Sequence, residues 1–268
     1  MKSYNCVVCI KQVPDTKRVT GEAMKADGTI NRAALPAIFN PEDRNALEAA
    51  LWVKETYGGT VTVITMGLPA AKTILREALM CGADRAVLVT DRKAAGSDTL
   101  ATSYILSQAV KRFNPDLVFC GRQAIDGDTA QVGPQVAEKL GLTQITYTEE
   151  IISLDKEAGK IVAKRHIDGG VETVEGPLPI VVTVNGSAAP CRVRNVKRVW
   201  ANKNREFPIW GAADIEADPA QIGKAGSPTN VKAVKSIVFK AKENKTLTSS
   251  DADVESLIVE LMESNTIG

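Results

Sequence analysis

The residues best suited to chemistry lie in one run, Gly121-Arg122-Gln123-Ala124-Ile125-Asp126-Gly127-Asp128-Thr129-Ala130-Gln131-Val132-Gly133-Pro134. An apolar stretch over 117–120 precedes it and reads as a buried parallel strand. A helical stretch over 136–140, closed by Gly141, follows it. A polar Gly/Asp loop between a strand and a helix start suits an anion. The first-turn N–H groups point out of the helix end, and the helix dipole adds positive potential there. Asp126 and Asp128 argue against a bare phosphate and suit hydroxyl or amine donors, such as those of a ribose or a base edge. The same pattern also describes a capped helix start with a polar turn, so the run alone leaves both readings open.

Other reactive residues offer less. Five cysteines, at positions 6, 9, 81, 120 and 191, are odd in number and dispersed, unlike a disulfide framework. Cys6 and Cys9 form a C-x-x-C, but inside an apolar run predicted to be a strand. Strand residues at that spacing face opposite sides, which disfavours metal or redox use of the pair. His166 is the single histidine. It cannot build a His-rich metal site, and no nucleophile motif accompanies it, so ordinary triad chemistry is not expected. Neither G-x-G-x-x-G nor G-x-x-x-x-G-K-[ST] occurs, which disfavours the usual dinucleotide fingerprint and a P-loop. Charge is balanced, 33 basic against 32 acidic residues for a net of +1, and gives no support for general nucleic-acid binding. No apolar run approaches the roughly 20 residues of a membrane span. The first residues lack a signal-peptide layout, so a cytoplasmic protein is expected.

Four strand–helix units must position the run. The first strand covers 7–10 and leaves at Pro14. A long connection follows, with turn signals at Asp27-Gly28 and Pro36 and room for a small hairpin that covers a ligand. Asn40-Pro41-Glu42-Asp43 is a helix start: Asn40 at the cap, Pro41 at the first helical position, acids beside the positive dipole end. Ala46, Leu47, Ala50, Leu51 and Val53 continue at helical spacing up to Gly58-Gly59. Strands over 61–66 and 85–90 flank a helix through Ile74, Leu75, Ala78 and Leu79. Ser97-Asp98 caps a helix with Leu100, Ile105, Leu106, Ala109 and Val110 turned inward. This alternation predicts an α/β fold, a doubly wound, mostly parallel sheet with right-handed crossovers. Ligands bind such sheets at the carboxyl ends of the strands. Cys9, Met66 and the 121–134 run lie at such ends, and Asn40 opens the helix that follows the first of them.

After residue 144 the pattern changes to shorter strands over 145–152, 159–165, 172–175 and 179–184. Arg192, Arg194, Lys197 and Arg198 then form a basic run interleaved with Val193, Val196, Val199 and Trp200. It reads either as a solvated basic face with one packed side or as a docking surface for an acidic partner. Residues 201–250 look like an extended arm with little capacity for a core of their own. Residues 251–262 read as a helix with Val254, Leu257, Ile258 and Leu261 on one side, whose stripe needs a partner. The expected division is an α/β domain over 1–190 and a docking segment, arm and terminal helix over 191–268.

Five stretches together identify a family: Cys9-Ile10-Lys11-Gln12-Val13-Pro14-Asp15; Asn40-Pro41-Glu42-Asp43; Val63-Ile64-Thr65-Met66-Gly67; Gly121 to Asp128; and a block containing Asp168-Gly169-Gly170-Val171-Glu172-Thr173 and Pro179-Ile180-Val181-Val182-Thr183-Val184. In this order and at this spacing, the chain resembles the β subunit of electron-transferring flavoproteins along nearly its whole length. The resemblance implies a Rossmann-like, adenine nucleotide hydrolase-like fold and a heterodimer with an α subunit that carries one FAD. It also implies an adenine nucleotide in the β subunit itself: structural AMP in ordinary members, a second FAD in electron-bifurcating ones. The continuation Asp128 to Pro134, and Ile222-Gly223-Lys224-Ala225-Gly226-Ser227-Pro228-Thr229, are similar to bifurcating members.

Carried onto this chain, the resemblance implies that Cys9, Asn40, Pro41, Glu42, Asp43 and Met66 belong to the adenosine pocket. Gln123 to Pro134 would wrap the phosphates and ribitol, with Thr129 and Gln131 near the helix start, and Gly121 and Arg122 would belong to the same cofactor site. NADH would be the electron donor, and a flavin-dependent dehydrogenase or reductase, of acyl-CoA or 2-hydroxyacid type, one acceptor. Ferredoxin or flavodoxin would be the other. The chain would not be an enzyme alone but part of an NADH-dependent flavin oxidoreductase complex. Arg192, Val193, Arg194, Asn195, Val196, Lys197 and Arg198 would dock the partner, although Pro190-Cys191-Arg192-Val193 departs from the Pro-Arg-Tyr-like start of members that serve acyl-CoA dehydrogenases. A stand-alone nucleotide-binding protein on the same fold is the reading from another class.

Overall fold

The computed structural model describes residues 3–15, 35–229 and 245–267. It divides into two compact units, Met1–Ala233 and Val234–Gly268. The Asp27-Gly28 turn and the part of the arm over 230–244 lie outside the described residues.

In the first unit a nine-stranded sheet is the frame. In chain order its strands are β1 (Tyr4–Cys9), β4 (Gly59–Met66), β5 (Arg85–Val89), β6 (Leu117–Gly121), β7 (Thr143–Asp155), β8 (Lys160–Ile167), β9 (Gly170–Pro177), β10 (Ile180–Val184) and β11 (Ile209–Trp210). β2 (Gln12–Pro14) and β3 (Ala37–Phe39) form a separate antiparallel pair beside them. The spatial order is β11-β5-β4-β1-β6-β10-β7-β8-β9. Pairing is parallel from β11 through β7 and antiparallel from β7 through β9.

Helices cover both faces, and strand alternation decides which residues meet which helix. Cys6 and Val8 of β1 share a core with α1 (Pro41–Tyr57) and α2 (Lys72–Cys81). Val7 and Cys9 share the opposite core with α3 (Thr99–Lys111) and α4 (Val132–Leu140). Cys6 and Cys9 therefore face opposite sides. Burial, with the Asp116 carboxylate adding to it, pushes the Cys6 thiol up to about 12, which makes it an inert core residue.

The chain runs from β1 to β4 and β5 on one side, then returns to place β6 on the other side of β1. The crevice between β1 and β6 at their carboxyl ends is a topological switch point, where two connections diverge.

Four local expectations change. The second half does not hold only short strands: β7 spans 13 residues, because it pairs with β10 in the main sheet and then runs on as a ribbon with β8. β10, read as one of a late series, lies in the middle of the sheet between β6 and β7, and every residue of it is buried. Leu100 is exposed rather than turned inward; the buried residues of α3 begin with its neighbour Ala101. The compact unit also runs past residue 190. β11 adds a parallel strand to β5, and Ile215 and Ile222 enter the α3/α4 core. This stretch lacks a core of its own because it completes an existing one. α5 (Val196–Asn202) lies between these elements.

The second unit contains α6 (Asp251–Glu263), capped by Ser250, whose Oγ accepts from Asp253 N–H at 3.3 Å. Among the described residues, no helix is long and apolar enough to cross a membrane.

Candidate functional site

A cavity of about 380 Å³ opens at the switch point. Its walls come from the carboxyl ends of β1 (Cys9, Ile10, Lys11), β4 (Met66) and β6 (Cys120 onward), with Asp43 from α1, Ser97 and Asp98 ahead of α3 and Thr99 at its start. Of the predicted site residues, Cys9, Asp43, Met66, 121–124 and 127–133 line it. Asn40, Pro41, Glu42, Ile125, Asp126 and Pro134 do not line it. Asn40, Glu42 and Asp126 instead hold the wall in place.

Asn40 occupies the cap position of α1, but its side chain makes no capping bond. It is diverted to the loop after β6: Nδ2 donates to Gln123 O at 2.8 Å, and Oδ1 accepts from Ile125 N–H at 3.2 Å. Glu42 accepts from Gln123 N–H at 2.9 Å and pairs with the Arg122 guanidinium at 2.9 Å. Asp43 accepts from Lys11 N–H at 2.7 Å and Gly121 N–H at 3.1 Å. Lys11 Nζ reaches Asp126 at 2.7 Å. Three side chains thus supply backbone partners for residues 121–125, and Lys11 ties down the Asp126 side chain. Asp43 is buried, and burial pushes its carboxyl up to about 7, against the lowering effect of hydrogen bonds from Asn40, Lys11 and Gly121.

The next residues are open. Gly127, Asp128 and Thr129 are exposed. Asp128 and Ala130 adopt positive φ, 49° and 52°, a conformation that costs energy for residues with a Cβ and gathers at functional sites. α4 begins at Val132, inside the predicted loop, so Val132, Gly133 and Pro134 form its first turn. Its first backbone bond from outside is Gln135 N–H to Gln131 O at 3.0 Å. The N–H groups of Gln131, Val132 and Gly133 precede it and have no intrahelical partner. Gly133 lets this turn sit close on β10: a Cβ there would lie 2.5 Å from Thr183 Cγ2.

The cavity floor carries a thiol pair. Cys9 and Cys120 are register partners on β1 and β6, and both are buried. The hydrogen bond with Cys9, and then burial, hold the Cys120 thiol well above the usual range. The opposite rim is tied across by Thr99 Oγ1, which donates to Gln131 Oε1 at 3.0 Å. The donor set fits a phosphate ester carrying hydroxyls. It combines first-turn N–H groups, the hydroxyls of Thr102 and Thr129, and the Lys11 ammonium.

Sequence reasoning missed Lys11 and the 97–102 wall. Lys11 lay within a recognised motif, and Ser97-Asp98 was read as a cap: Asp98 Oδ1 indeed accepts from Leu100 and Ala101 N–H at 3.0 and 3.1 Å. Its position after β5, at the same end of the sheet as the run, was the available signal.

In the 192–198 segment the residue that packs is basic, while most apolar ones do not pack. Arg192 turns inward, held by Glu48 at 2.7 Å and by Glu55, both on α1. The two carboxylates push its guanidinium pKa up, and Arg192 holds Glu55 below the usual range. Arg198 Nη1 donates to Cys81 O at 2.9 Å. Asn195 caps α5 by accepting from Lys197 N–H at 3.0 Å and Arg198 N–H at 3.3 Å. The apolar residues point out instead: Val193 is 87% exposed, Val196 83% and Trp200 74%, with Arg194 and Lys197 exposed among them.

Residues 27–214 match the electron transfer flavoprotein domain model. The chain is 48% identical over 228 residues to the electron transfer flavoprotein subunit beta of Clostridium acetobutylicum, covering 85% of this chain and 86% of that one. It is 43% identical over 262 residues to Protein FixA of Azorhizobium caulinodans, covering 95% and 92%. The Megasphaera elsdenii electron transfer flavoprotein subunit beta is 44% identical over 236 residues, covering 85% and 86%. With a family model over most of its length and relatives matched nearly end to end, the chain belongs to the electron transfer flavoprotein family, among its β subunits.

Proposed function

We propose that this chain binds FAD in the switch-point cavity as the β subunit of a heterodimeric electron-bifurcating flavoprotein. The observation that carries the reading is the divided loop after β6. Residues 121–126 are locked by α1, while 127–133 present open backbone, a hydroxyl and a helix N-terminus to the cavity. Gln131, Val132 and Gly133 N–H groups would hold a phosphate, with Lys11 adding positive charge. Thr129, Asp128 and the Thr102 hydroxyl of α3 would hold the ribose and ribitol. Cys9, Met66 and Leu106 would pack on the base. Bound flavin supplies hydride acceptance from NADH and one-electron transfer, and the chain's residues supply position and water exclusion. The α subunit would complete the pair. The exposed Val193, Val196 and Trp200, rimmed by Arg194 and Lys197, would dock a dehydrogenase or reductase of acyl-CoA or 2-hydroxyacid type. Ferredoxin or flavodoxin would take the low-potential electron, in the cytoplasm.

The size of the cavity favours one second reading. A single-chain cavity of about 380 Å³ suits a nucleoside monophosphate without a partner's surface, so structural AMP is the alternative. The test is to purify the chain with its co-expressed α subunit, denature the complex and quantify released nucleotides. Two FAD per heterodimer is the expected result; one FAD with one AMP overturns it.

A further inference from the structure

Residues 222–229 begin at Ile222, which sits in the α3/α4 core, and fold into a turn of their own. Gly226 N–H donates to Ile222 O at 3.1 Å, and Ser227 Oγ donates to Gly223 O at 2.6 Å. The turn lies directly against residues 93–98. Gly223 has a φ of 58°, and a Cβ there would lie 2.1 Å from Lys93 O, so only glycine lets the two backbones come this close. Gly223 N–H donates to Ser97 Oγ at 3.0 Å, and Asp98 N–H donates to Ser227 Oγ at 2.9 Å. Thr229 closes the contact: its N–H and its Oγ1 both donate to Asp98 Oδ2, at 3.1 and 2.7 Å.

Asp98 thus works in two directions. Oδ1 caps α3 through Leu100 and Ala101 N–H, and Oδ2 holds Thr229. Four donors occupy both oxygens, whereas a cap alone needs one acceptor. Ser97 Oγ is spent in the same way, accepting from Gly223 and donating to Ala94 O at 2.8 Å. The next residue carries the link onward. Thr99 Oγ1 donates to Gln131 Oε1 and accepts from Gln135 Nε2 at 3.4 Å. Gln131 immediately precedes α4, at the open helix end. Hydrogen bonds therefore run from the 222–229 turn through residues 98 and 99 to the N-terminus of α4. Ser97, Asp98, Thr99 and Gln131 line the cavity, and the turn stands behind them.

We propose that Asp98 and Thr229 form a clasp that positions the cavity rim, fixing Thr99 and through it Gln131, and so sets how long a bound nucleotide stays. Both are positioning residues: they act through Thr99 and Gln131. The assignment rests on the reading that the switch-point cavity holds the nucleotide. With the clasp broken, residues 97–99 and Gln131 gain freedom that binding must remove again, and affinity falls without loss of a ligand contact.

The experiment uses the chain as purified with its α subunit. The complex is desalted at timed intervals, and the nucleotide left on the protein is identified and counted after denaturation. Asp98→Asn keeps an acceptor for the cap but turns an amide donor toward Thr229 N–H. It is expected to speed the fall from two FAD to one per heterodimer roughly tenfold. Thr229→Val, which removes one of the two bonds and keeps the shape, is expected to speed it about threefold, and Thr229→Ser to behave as wild type. Thr99→Val added to Asp98→Asn is expected to release no faster than Asp98→Asn alone, because both act on one chain of bonds. Wild-type release in Asp98→Asn and Thr229→Val overturns the proposal. So does equal loss in Thr229→Ser and Thr229→Val, which marks the contact as packing, or full additivity with Thr99→Val. Should the wild-type complex yield one FAD and one AMP, the FAD reading falls, and the clasp is judged by AMP release from the same variants.

Discussion

Residues 121–126 and 127–131 belong to one loop, yet their backbone groups are satisfied in different ways. In the first half, Asn40, Glu42 and Asp43 at the start of α1 take up the N–H groups of Gly121, Gln123 and Ile125 and the C=O of Gln123, and Lys11 pins Asp126. In the second half, Asp128 and Ala130 sit at positive φ, and the chain is exposed until α4 begins. The difference separates a braced wall from an open cavity rim within eleven consecutive residues. Carboxylates in such a loop need not meet a ligand: Asp126 is structural, whereas Asp128 faces the cavity. The four residues at 40–43, which resemble a binding motif in sequence, serve mainly to hold the wall; among them only Asp43 reaches the cavity.

The comparison breaks most sharply at Gly121. An alanine Cβ there would lie 2.4 Å from Asp43 Oδ1 and 2.8 Å from the backbone of residues 42 and 43. Gly121→Ala is expected to cost about 3 kcal/mol or more and to leave little folded protein, measured by thermal unfolding. Asp43 gives the next effect, as a pH dependence. Its folded-state pKa is raised from 3.8 to about 7, so its contribution to stability is fully present below 3.8 and is lost as pH rises through 7. The slope over that window is up to about 1.4 kcal/mol per pH unit, and Asp43→Asn is expected to flatten the unfolding midpoint across it. An unchanged slope would show that Asp43 is ionised throughout. Glu42→Ala, which strands Gln123 N–H and Arg122, is expected to lower stability by about 2 kcal/mol in denaturant titration.

The open half behaves differently. Asp128→Asn keeps a residue tolerant of positive φ, and Thr129→Val keeps the shape. Each is expected to shift stability by less than about 0.5 kcal/mol while weakening nucleotide retention about tenfold, roughly one charge-assisted hydrogen bond. Equal retention in both variants would remove them from the pocket. Gly127→Ala is the smallest case: nothing lies within 4 Å of its Cβ position, and both stability and retention are expected to stay at wild-type values.

Much of this frame was legible because its signals are local. Pro41 at a helix start, Gly58 and Gly82 at helix ends, and apolar runs at β1, β4, β5 and β6 each act within a few residues. The convergence of Cys9, Met66 and Gly121 followed from the strand-end rule alone. What stayed hidden depends on distant partners. Asn40 looked like a cap, and only the proximity of the loop 83 residues away shows that its amide is used elsewhere. The inward Arg192 needed Glu48 and Glu55, invisible as partners from spacing. Ile215 and Ile222 have no periodic pattern around them, because they fill gaps in a core built by α3 and β5.

The central position of β10 has a consequence for synthesis. Arg122 N–H donates to Val184 O at 2.9 Å, and Gly133 rests against Thr183, so the cavity wall leans on a strand made some 50 residues later. A nascent chain that has extruded β1 through α4 holds every predicted binding motif but lacks the strand that supports the wall. The exposed edge of β6 must wait for β10 while the β7–β8–β9 ribbon emerges. Such long-range pairing slows folding and leaves an open sheet edge in the interim. Chains stopped before residue 180 are thereby committed to an unclosed sheet, and completion of the cavity wall becomes a late event in the life of the polypeptide.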